Sequence, residues 1–168
     1  MASQPLDAAK VYDAHADFVW RSLHRLGVEA RDLPDLLQEV FIVVHRRRAD
    51  HDPTRPLPPW LFGICAGLVR NYRRRAFRKN ERLTGRAPVV LSHDDPESAV
   101  DVGRRRDRGR RALDDLGPEK RAVFVMFEVE GMRSKAIAEA LGVPLGTVHS
   151  RLHAARRELS AALAEMEQ

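Results

Sequence analysis

Between Leu145 and Leu159, polar or basic residues recur among apolar ones at helical spacing. When Val148 is placed at the centre of a buried helix side, a step of about 100° per residue turns the polar residues outward or to the flanks. Histidine can donate to or accept from base edges in a major groove, and arginine suits phosphates. The residues that this pattern predicts to contact DNA are Thr147, His149, Ser150, His153, Arg156 and Arg157. The alternative is an ordinary helical hairpin with a solvated polar face.

His149 and His153 also stand four residues apart, which is the spacing of paired metal ligands on a helix. No glutamate lies between them and the sequence offers no apparent third ligand, so we expect no metal and no cofactor. The sequence also lacks a glycine-rich phosphate loop, a nucleophile with a base at helical reach, and a carboxylate cluster suited to metal chemistry. We therefore expect that the protein is not an enzyme.

A helix-turn-helix is the element that would position these side chains. In SKAIAEALGVPLGTVHSRLHAARREL, apolar residues at helical spacing precede Gly142, and Pro144 closes a short turn before the next helix. Over about 25 residues, both the turn residues and the spacing of the inward-facing residues match a helix-turn-helix. The residues expected to face inward are Ile137, Ala138, Leu141, Val148, Leu152, Ala155 and Leu159.

The first 80 residues predict three further helices. Apolar residues at spacings of three and four indicate a helix over 11–26 that stops at Gly27, and a second over about 32–48. Four prolines between Pro53 and Pro59 then interrupt the helical pattern, and a third helix is expected from about 58 to 78. No segment of useful length has strand periodicity, so the fold class is all-α.

Charge divides the chain into three parts. Residues 1–80 have a net charge of +5, residues 81–103 of −3 and residues 104–168 of +3. The acidic segment contains prolines and glycines and has no sustained helical period, which is typical of a flexible linker. We predict two small helical domains, 1–80 and 104–168, joined by the linker 81–103.

Composition limits the environment in which the protein works. The single cysteine, Cys65, excludes an internal disulfide and is typical of a reducing compartment. No segment approaches the roughly 18 consecutive apolar residues of a membrane span, and the first ten residues lack a signal-peptide pattern. We expect a cytoplasmic protein without membrane insertion, in which Cys65 is a buried small hydrophobe.

Motifs in both halves of the chain carry a family resemblance. They are DLLQEVF at 35–41, WLFGI at 60–64, the basic end of the third helix, LDDLGPEKRAVFVMFEVEGM at 113–132 and IAEALGVPLGTVHSRLHAARREL at 137–159. In order and spacing they resemble the extracytoplasmic-function (ECF) sigma factors of the sigma-70 family. The resemblance implies sigma region 2 in 1–80, sigma region 4 in 104–168, and core RNA polymerase, promoter DNA and an anti-sigma factor as partners.

The resemblance also implies a function and site residues. Such a factor binds core polymerase and directs promoter recognition, melting and transcription initiation at a specific regulon. The residues implied to dock on the polymerase are Asp35, Leu36, Gln38, Glu39 and Phe41. The residues assigned to the minus-ten element, from the loop 49–59 and the basic helix end, are His51, Asp52, Thr54, Arg55, Arg70, Tyr72, Arg73 and Arg74. Phe77 is a further candidate for lying against the melted strand, whereas Trp60 is expected to anchor the third helix in the core.

Some positions depart from the family pattern. Gly63 and Gly67 stand where a basic residue and an asparagine are common, and His149 and Ala154 stand where basic residues are frequent. The two glycines bear on promoter melting and the minus-ten sequence, whereas His149 and Ala154 make the expected minus-thirty-five contact less basic than usual. Two other functions remain open at this point: a stand-alone helix-turn-helix regulator that needs no polymerase, and a sigma-like decoy that titrates an anti-sigma protein.

Overall fold

The computed structural model describes residues 6–84 and 100–165, with side chains in 6–77 and 108–165. All regular structure in these ranges is helical, as predicted, and the chain forms two compact units. None of the described helices is both long and apolar enough to cross a membrane.

Three helices form the first unit. Helix α1 spans Ala8–Arg25, α2 spans Leu33–Arg46 and α3 spans Leu57–Thr84, and each packs on the other two. A 3-10 turn, Ala30–Asp32, leads into α2. Cys65 lies in this core as predicted, and burial raises the pKa of its thiol to about 12. Other core side chains are Val11, Val19, Leu23, Leu33, Val40, Val44, Leu61, Phe62 and Val69.

Local sequence signals set both ends of α1. The Asp7 carboxylate accepts a hydrogen bond from the Ala9 amide at 3.1 Å, which caps the first turn. At the other end, Gly27 adopts a φ of 92°, and the Val28 amide donates to the Leu23 carbonyl at 3.1 Å. Glycine adopts this left-handed conformation without a Cβ clash, so the predicted stop at Gly27 is confirmed.

Two side chains of α3 fasten it to the segment between α1 and α2. The Tyr72 hydroxyl donates to the Asp32 carboxylate at 2.6 Å, and the Arg73 guanidinium donates to the Leu26 carbonyl at 3.0 Å. Burial, together with the hydrogen bond to Asp32, raises the pKa of Tyr72 to about 12. The phenol therefore keeps its proton, and its role as a donor, throughout the neutral range.

Four helices form the second unit. They are α4 (Val100–Asp115), α5 (Pro118–Phe124), α6 (Ser134–Leu141) and α7 (Leu145–Glu165), and α5 continues into a π-helical turn over Val125–Val129. Helix α7 packs against both α4 and α5. Its apolar stripe, Val148, Leu152, Ala155 and Leu159, is buried as predicted.

The turn between α6 and α7 matches the predicted helix-turn-helix. Gly142 adopts a φ of 64°, and the Val143 amide donates to the Ala138 carbonyl at 3.0 Å, which ends α6. The Pro144 carbonyl then accepts from the Thr147 amide at 2.9 Å and begins α7.

A buried ion pair braces the second unit. Arg121 on α5 is 2% exposed and donates to the Asp114 carboxylate on α4 at 2.6 Å. Desolvation lowers the pKa of Arg121, and Asp114 opposes that shift. A buried guanidinium needs such a partner because its transfer from water costs several kcal/mol.

The helices extend further than the sequence predicted. The expected end of α3 near Arg78 is wrong, because the helix continues to Thr84, and α4 begins at Val100, ahead of the expected domain start at 104. The predicted linker boundaries at 81 and 103 therefore fall inside helices. Arginine has a high helix propensity, and a glycine such as Gly103 costs about 1 kcal/mol without forbidding a helix. The rest of the predicted flexible linker, 85–99, lies outside the described residues.

We predict that Asp114→Ala lowers the free energy of unfolding of the full chain by about 2 kcal/mol, because it removes a charge-assisted hydrogen bond of the buried Arg121. The double variant Asp114→Ala/Arg121→Met should recover most of that loss, since methionine needs no partner. Urea unfolding followed by circular dichroism measures both values. Equal stability of Asp114→Ala and wild type would show that the pair does not brace the unit.

We predict that Tyr72→Phe lowers the free energy of unfolding by about 1.5 kcal/mol, the contribution of a hydrogen bond to a charged group. The Tyr72 pKa is raised on folding, so its contribution is full below the unfolded value near 10 and is lost as pH rises through about 12. The loss should therefore be the same at pH 7 and pH 9. Arg70→Ala, an exposed change on the same helix, is the matched control and should leave urea unfolding unchanged.

Candidate nucleic-acid and partner interfaces

One face of α7 presents polar side chains to solvent. Ser150, His153 and Arg157 are exposed on this face and His149 is exposed at its edge, while Val148 and Leu152 are buried on the other. The Ser150 hydroxyl donates to the Thr147 carbonyl at 3.1 Å, which leaves its oxygen able to accept. The helix orientation predicted from the sequence is thus confirmed. This face carries donors, acceptors and a cation of the kinds that read base edges and phosphates.

The flanks of α7 differ from that outward face. Thr147 is half-buried at the first turn. Arg156 donates through Nε to Glu128 Oε1 at 2.7 Å, and its guanidinium carbon lies 5.5 Å from the centre of the Phe127 ring. The sequence predicted that Arg156 would be available to bind a phosphate. In the structure its side chain instead binds Glu128 in the π-helical turn.

Two further ion pairs join α5 to α7. Arg151 donates to Glu119 at 2.6 Å, and Lys120 donates to Glu158 at 2.6 Å. These acidic partners, which local sequence patterns do not reveal, lie 32 and 38 residues from the basic residues they bind. Helical spacing gave no signal for them because each pair depends on how α5 packs against α7.

The loop before α3 uses most of its polar groups internally. The Asp52 Oδ1 atom accepts from the Thr54 amide at 2.9 Å and from the Thr54 hydroxyl at 2.7 Å, and these bonds lower the pKa of Asp52. Arg55 Nε lies 3.4 Å from Asp52 Oδ2. Asp52, Thr54 and Arg55 are all exposed, so the loop is a locally bonded turn with a solvent-facing surface.

His51 packs against Trp60, with ring centroids 5.2 Å apart in an edge-to-face arrangement. Both ring nitrogens are buried, and neither has a hydrogen-bond partner in the described part of the chain. Burial lowers the pKa of His51 and so favours the neutral ring, although the charge of Asp52 acts in the opposite direction. The expectation that His51 offers free donors to a base is therefore wrong, because its nitrogens are enclosed. Trp60 is half-buried and packs against the His51 ring, so it does not lie fully in the core.

The basic end of α3 separates into two sets of side chains. Arg70, Arg74 and Phe77 are exposed, as a surface for nucleic acid requires. Tyr72 and Arg73 instead point to the segment between α1 and α2, where they bind Asp32 and Leu26. The Tyr72 hydroxyl is thus already donated within the domain, and the contact of Tyr72 with the melted strand stays a prediction.

Helix α2 exposes part of the predicted docking segment. Asp35 and Gln38 are exposed, while Glu39 and Phe41 are half-buried. The Phe41 ring contacts the ring of Tyr12 on α1 at a centroid distance of 4.7 Å. Leu36 is only 6% exposed and belongs to the core, as its place in the apolar stripe indicates, and its part in docking stays a prediction.

No group of three or more potential metal ligands lies together among the side chains in 6–77 and 108–165.

Comparisons with known proteins agree on a family. The Sigma-70 region 2 family matches residues 11–79, and the Sigma-70, region 4 family matches residues 107–159. The ECF RNA polymerase sigma factor SigL of Mycobacterium tuberculosis is 33% identical over 160 residues, covering 93% of this chain and 88% of that protein. SigE of Mycolicibacterium smegmatis, also an ECF RNA polymerase sigma factor, is 37% identical over 153 residues, which are 90% of this chain. The chain spans 59% of the length of SigE.

A solved structure, CnrH in complex with the cytosolic domain of CnrY, has a similar fold. It superposes with a TM-score of 0.66 at 26% identity, covering 94% of this chain and 88% of that chain. The matches include both helical units and follow the same order along the sequence. This chain belongs to the ECF RNA polymerase sigma factors.

Proposed function

We propose that this chain binds core RNA polymerase in the cytoplasm and directs it to the promoters of a specific regulon, where transcription initiates. The observation that carries the proposal is the outward face of α7, whose exposed His149, Ser150, His153 and Arg157 lie opposite a fully packed apolar stripe. A rigid helix with such a face can enter a major groove. The polymerase performs the catalysis, and this chain contributes sequence recognition.

The first unit would supply two further contacts. Exposed Asp35 and Gln38 on α2 offer acceptors to a basic helical surface of the polymerase. Exposed Arg70 and Arg74 on α3 would lie along the phosphates near the minus-ten element, and Phe77 offers a ring on which an unpaired base can stack. Melting of the promoter is thus assigned to the end of α3.

An anti-sigma factor is the proposed regulator. CnrH, which shares this fold at 26% identity, was solved in complex with the cytosolic domain of CnrY. A partner that covers exposed surfaces of the helical units would keep this chain from the polymerase.

We predict that Asp35→Ala/Gln38→Ala weakens association with purified core RNA polymerase by at least about tenfold, since two polar contacts contribute roughly 1 kcal/mol each. Both side chains are exposed, so circular dichroism should show unchanged helicity. Asp17→Ala, which removes an exposed carboxylate from α1, is the matched control and should bind normally. Unchanged association of the double variant would remove the docking assignment.

We predict that α7 sets the minus-thirty-five preference of the holoenzyme. Run-off transcription with core polymerase and selection from a promoter library would first identify the wild-type motif. His149→Ala or Ser150→Ala should then change the selected bases, because a base-edge contact contributes roughly 1 to 3 kcal/mol of discrimination. Arg157→Ala should instead weaken all sequences evenly and reduce the salt slope by about 1.

Ser160→Ala is the matched control for Ser150→Ala, because Ser160 is exposed on the same helix farther from the turn. It should return the wild-type motif. If His149→Ala and Ser150→Ala also return that motif, α7 is not the reader. Tight sequence-specific binding by the chain without polymerase would favour a stand-alone regulator over a sigma factor.

A further inference from the structure

Arg156 on α7 contacts both an acidic side chain, Glu128, and an aromatic ring, Phe127. Its Nε donates to Glu128 Oε1 at 2.7 Å, and its guanidinium lies over Phe127. The Arg156 side chain is nonetheless 53% exposed, and that of Glu128 is 35% exposed. The pair therefore sits at the surface, where a competing anion can reach it.

The position of Arg156 places it beside the proposed DNA face. At about 100° per residue, Arg156 lies on the same flank of α7 as His149, between the buried stripe and the outward side chains. A guanidinium on this flank has the reach and charge to contact a phosphate at the edge of a groove. In the observed arrangement the donors of this guanidinium bind the Glu128 carboxylate, an anion of the kind with which a phosphate would compete.

The π-helical turn brings Glu128 to this position. The Glu130 amide donates to the Val125 carbonyl at 3.0 Å, which is a bond between residues i and i+5. The wider turn leaves Val125 and Met126 buried while Glu128 faces α7. An irregular turn that orients a charged side chain is typical of a functional position.

We propose that Glu128 is a specificity-determining residue that holds Arg156 away from DNA phosphates and so lowers affinity for non-specific duplex. The inference rests on the proposed role of α7 in binding DNA. Carboxylate and phosphate compete for the same guanidinium donors, so duplex must displace Glu128 before Arg156 can add a phosphate contact. Non-specific binding is almost entirely electrostatic, and it therefore loses most from this competition.

The Arg151–Glu119 pair provides an internal comparison. It also joins α5 to α7, at 2.6 Å, but the Arg151 side chain is only 23% exposed and lies on the opposite flank from His149. Replacing either glutamate with glutamine breaks its ion pair and removes one negative charge from the same unit. Only the Glu128 pair would release a guanidinium beside the His149 flank.

The test is binding of the full-length chain to a fluorescein-labelled 30-base-pair duplex of arbitrary sequence, followed by anisotropy from about 20 to 200 mM salt. Glu128→Gln should raise affinity at low salt roughly two- to fivefold, the range of a single exposed ion pair. It should also steepen the slope of log affinity against log salt by about 0.9, the value for one added phosphate contact. Urea unfolding of each variant checks that the fold is retained.

A double-mutant cycle decides whether Arg156 carries the gain. In an Arg156→Ala background, Glu128→Gln should have little effect, whereas the effect of Glu119→Gln should be the same with or without Arg156. A gain from Glu128→Gln that persists without Arg156, or no gain at all, would overturn the inference. Absence of duplex binding by wild type and all variants at 20 mM salt would instead contradict the proposed DNA role of α7.

Discussion

Burial of one apolar stripe of α7 fixes the direction of every exposed polar side chain on that helix, and with it the proposed recognition surface. Val148, Leu152 and Ala155 are enclosed by the second unit, and a helix that turns by about 100° per residue must then present His149, Ser150 and His153 outward. The recognition surface is therefore a consequence of packing. A loss of core packing would rotate or loosen this surface even if every polar residue on it were retained.

Polar partners that are distant in sequence hold the packed helices in place. Arg121 and Asp114 join α5 to α4, and Arg151 and Glu119 join α7 to α5. In the first pair Arg121 is buried and Asp114 offsets part of its desolvation, whereas the second pair lies at the edge, where an ion pair contributes at most about 1 kcal/mol. The contact between α4 and α5 therefore depends more on its ion pair than the contact between α5 and α7 depends on the Arg151–Glu119 pair.

The contrast between Ser150 and Arg156 shows what the sequence could predict. The outward direction of Ser150 follows from local helical period and from the turn at Gly142, and both can be read from a short segment. The bond from Arg156 to Glu128 spans 28 residues and passes through a π-helical turn that no local pattern indicated. The same reason applies to Tyr72, whose hydroxyl binds a carboxylate 40 residues away. Fold class and helix faces were therefore predictable, and the polar groups used internally were not.

The arginines of α7 divide in a way that bears on how the chain would find promoters. Arg151 and Arg156 are bound by carboxylates of the same unit, while Arg157 faces outward from the recognition surface. Because each phosphate contact contributes about 0.9 to the salt slope, a helix with few available cations binds duplex weakly on its own. Under the proposed function, affinity would come from aligning the contacts of both units on one promoter, as binding to core polymerase would do. The weak binding expected of the free chain is consistent with a factor whose selectivity depends on its partner.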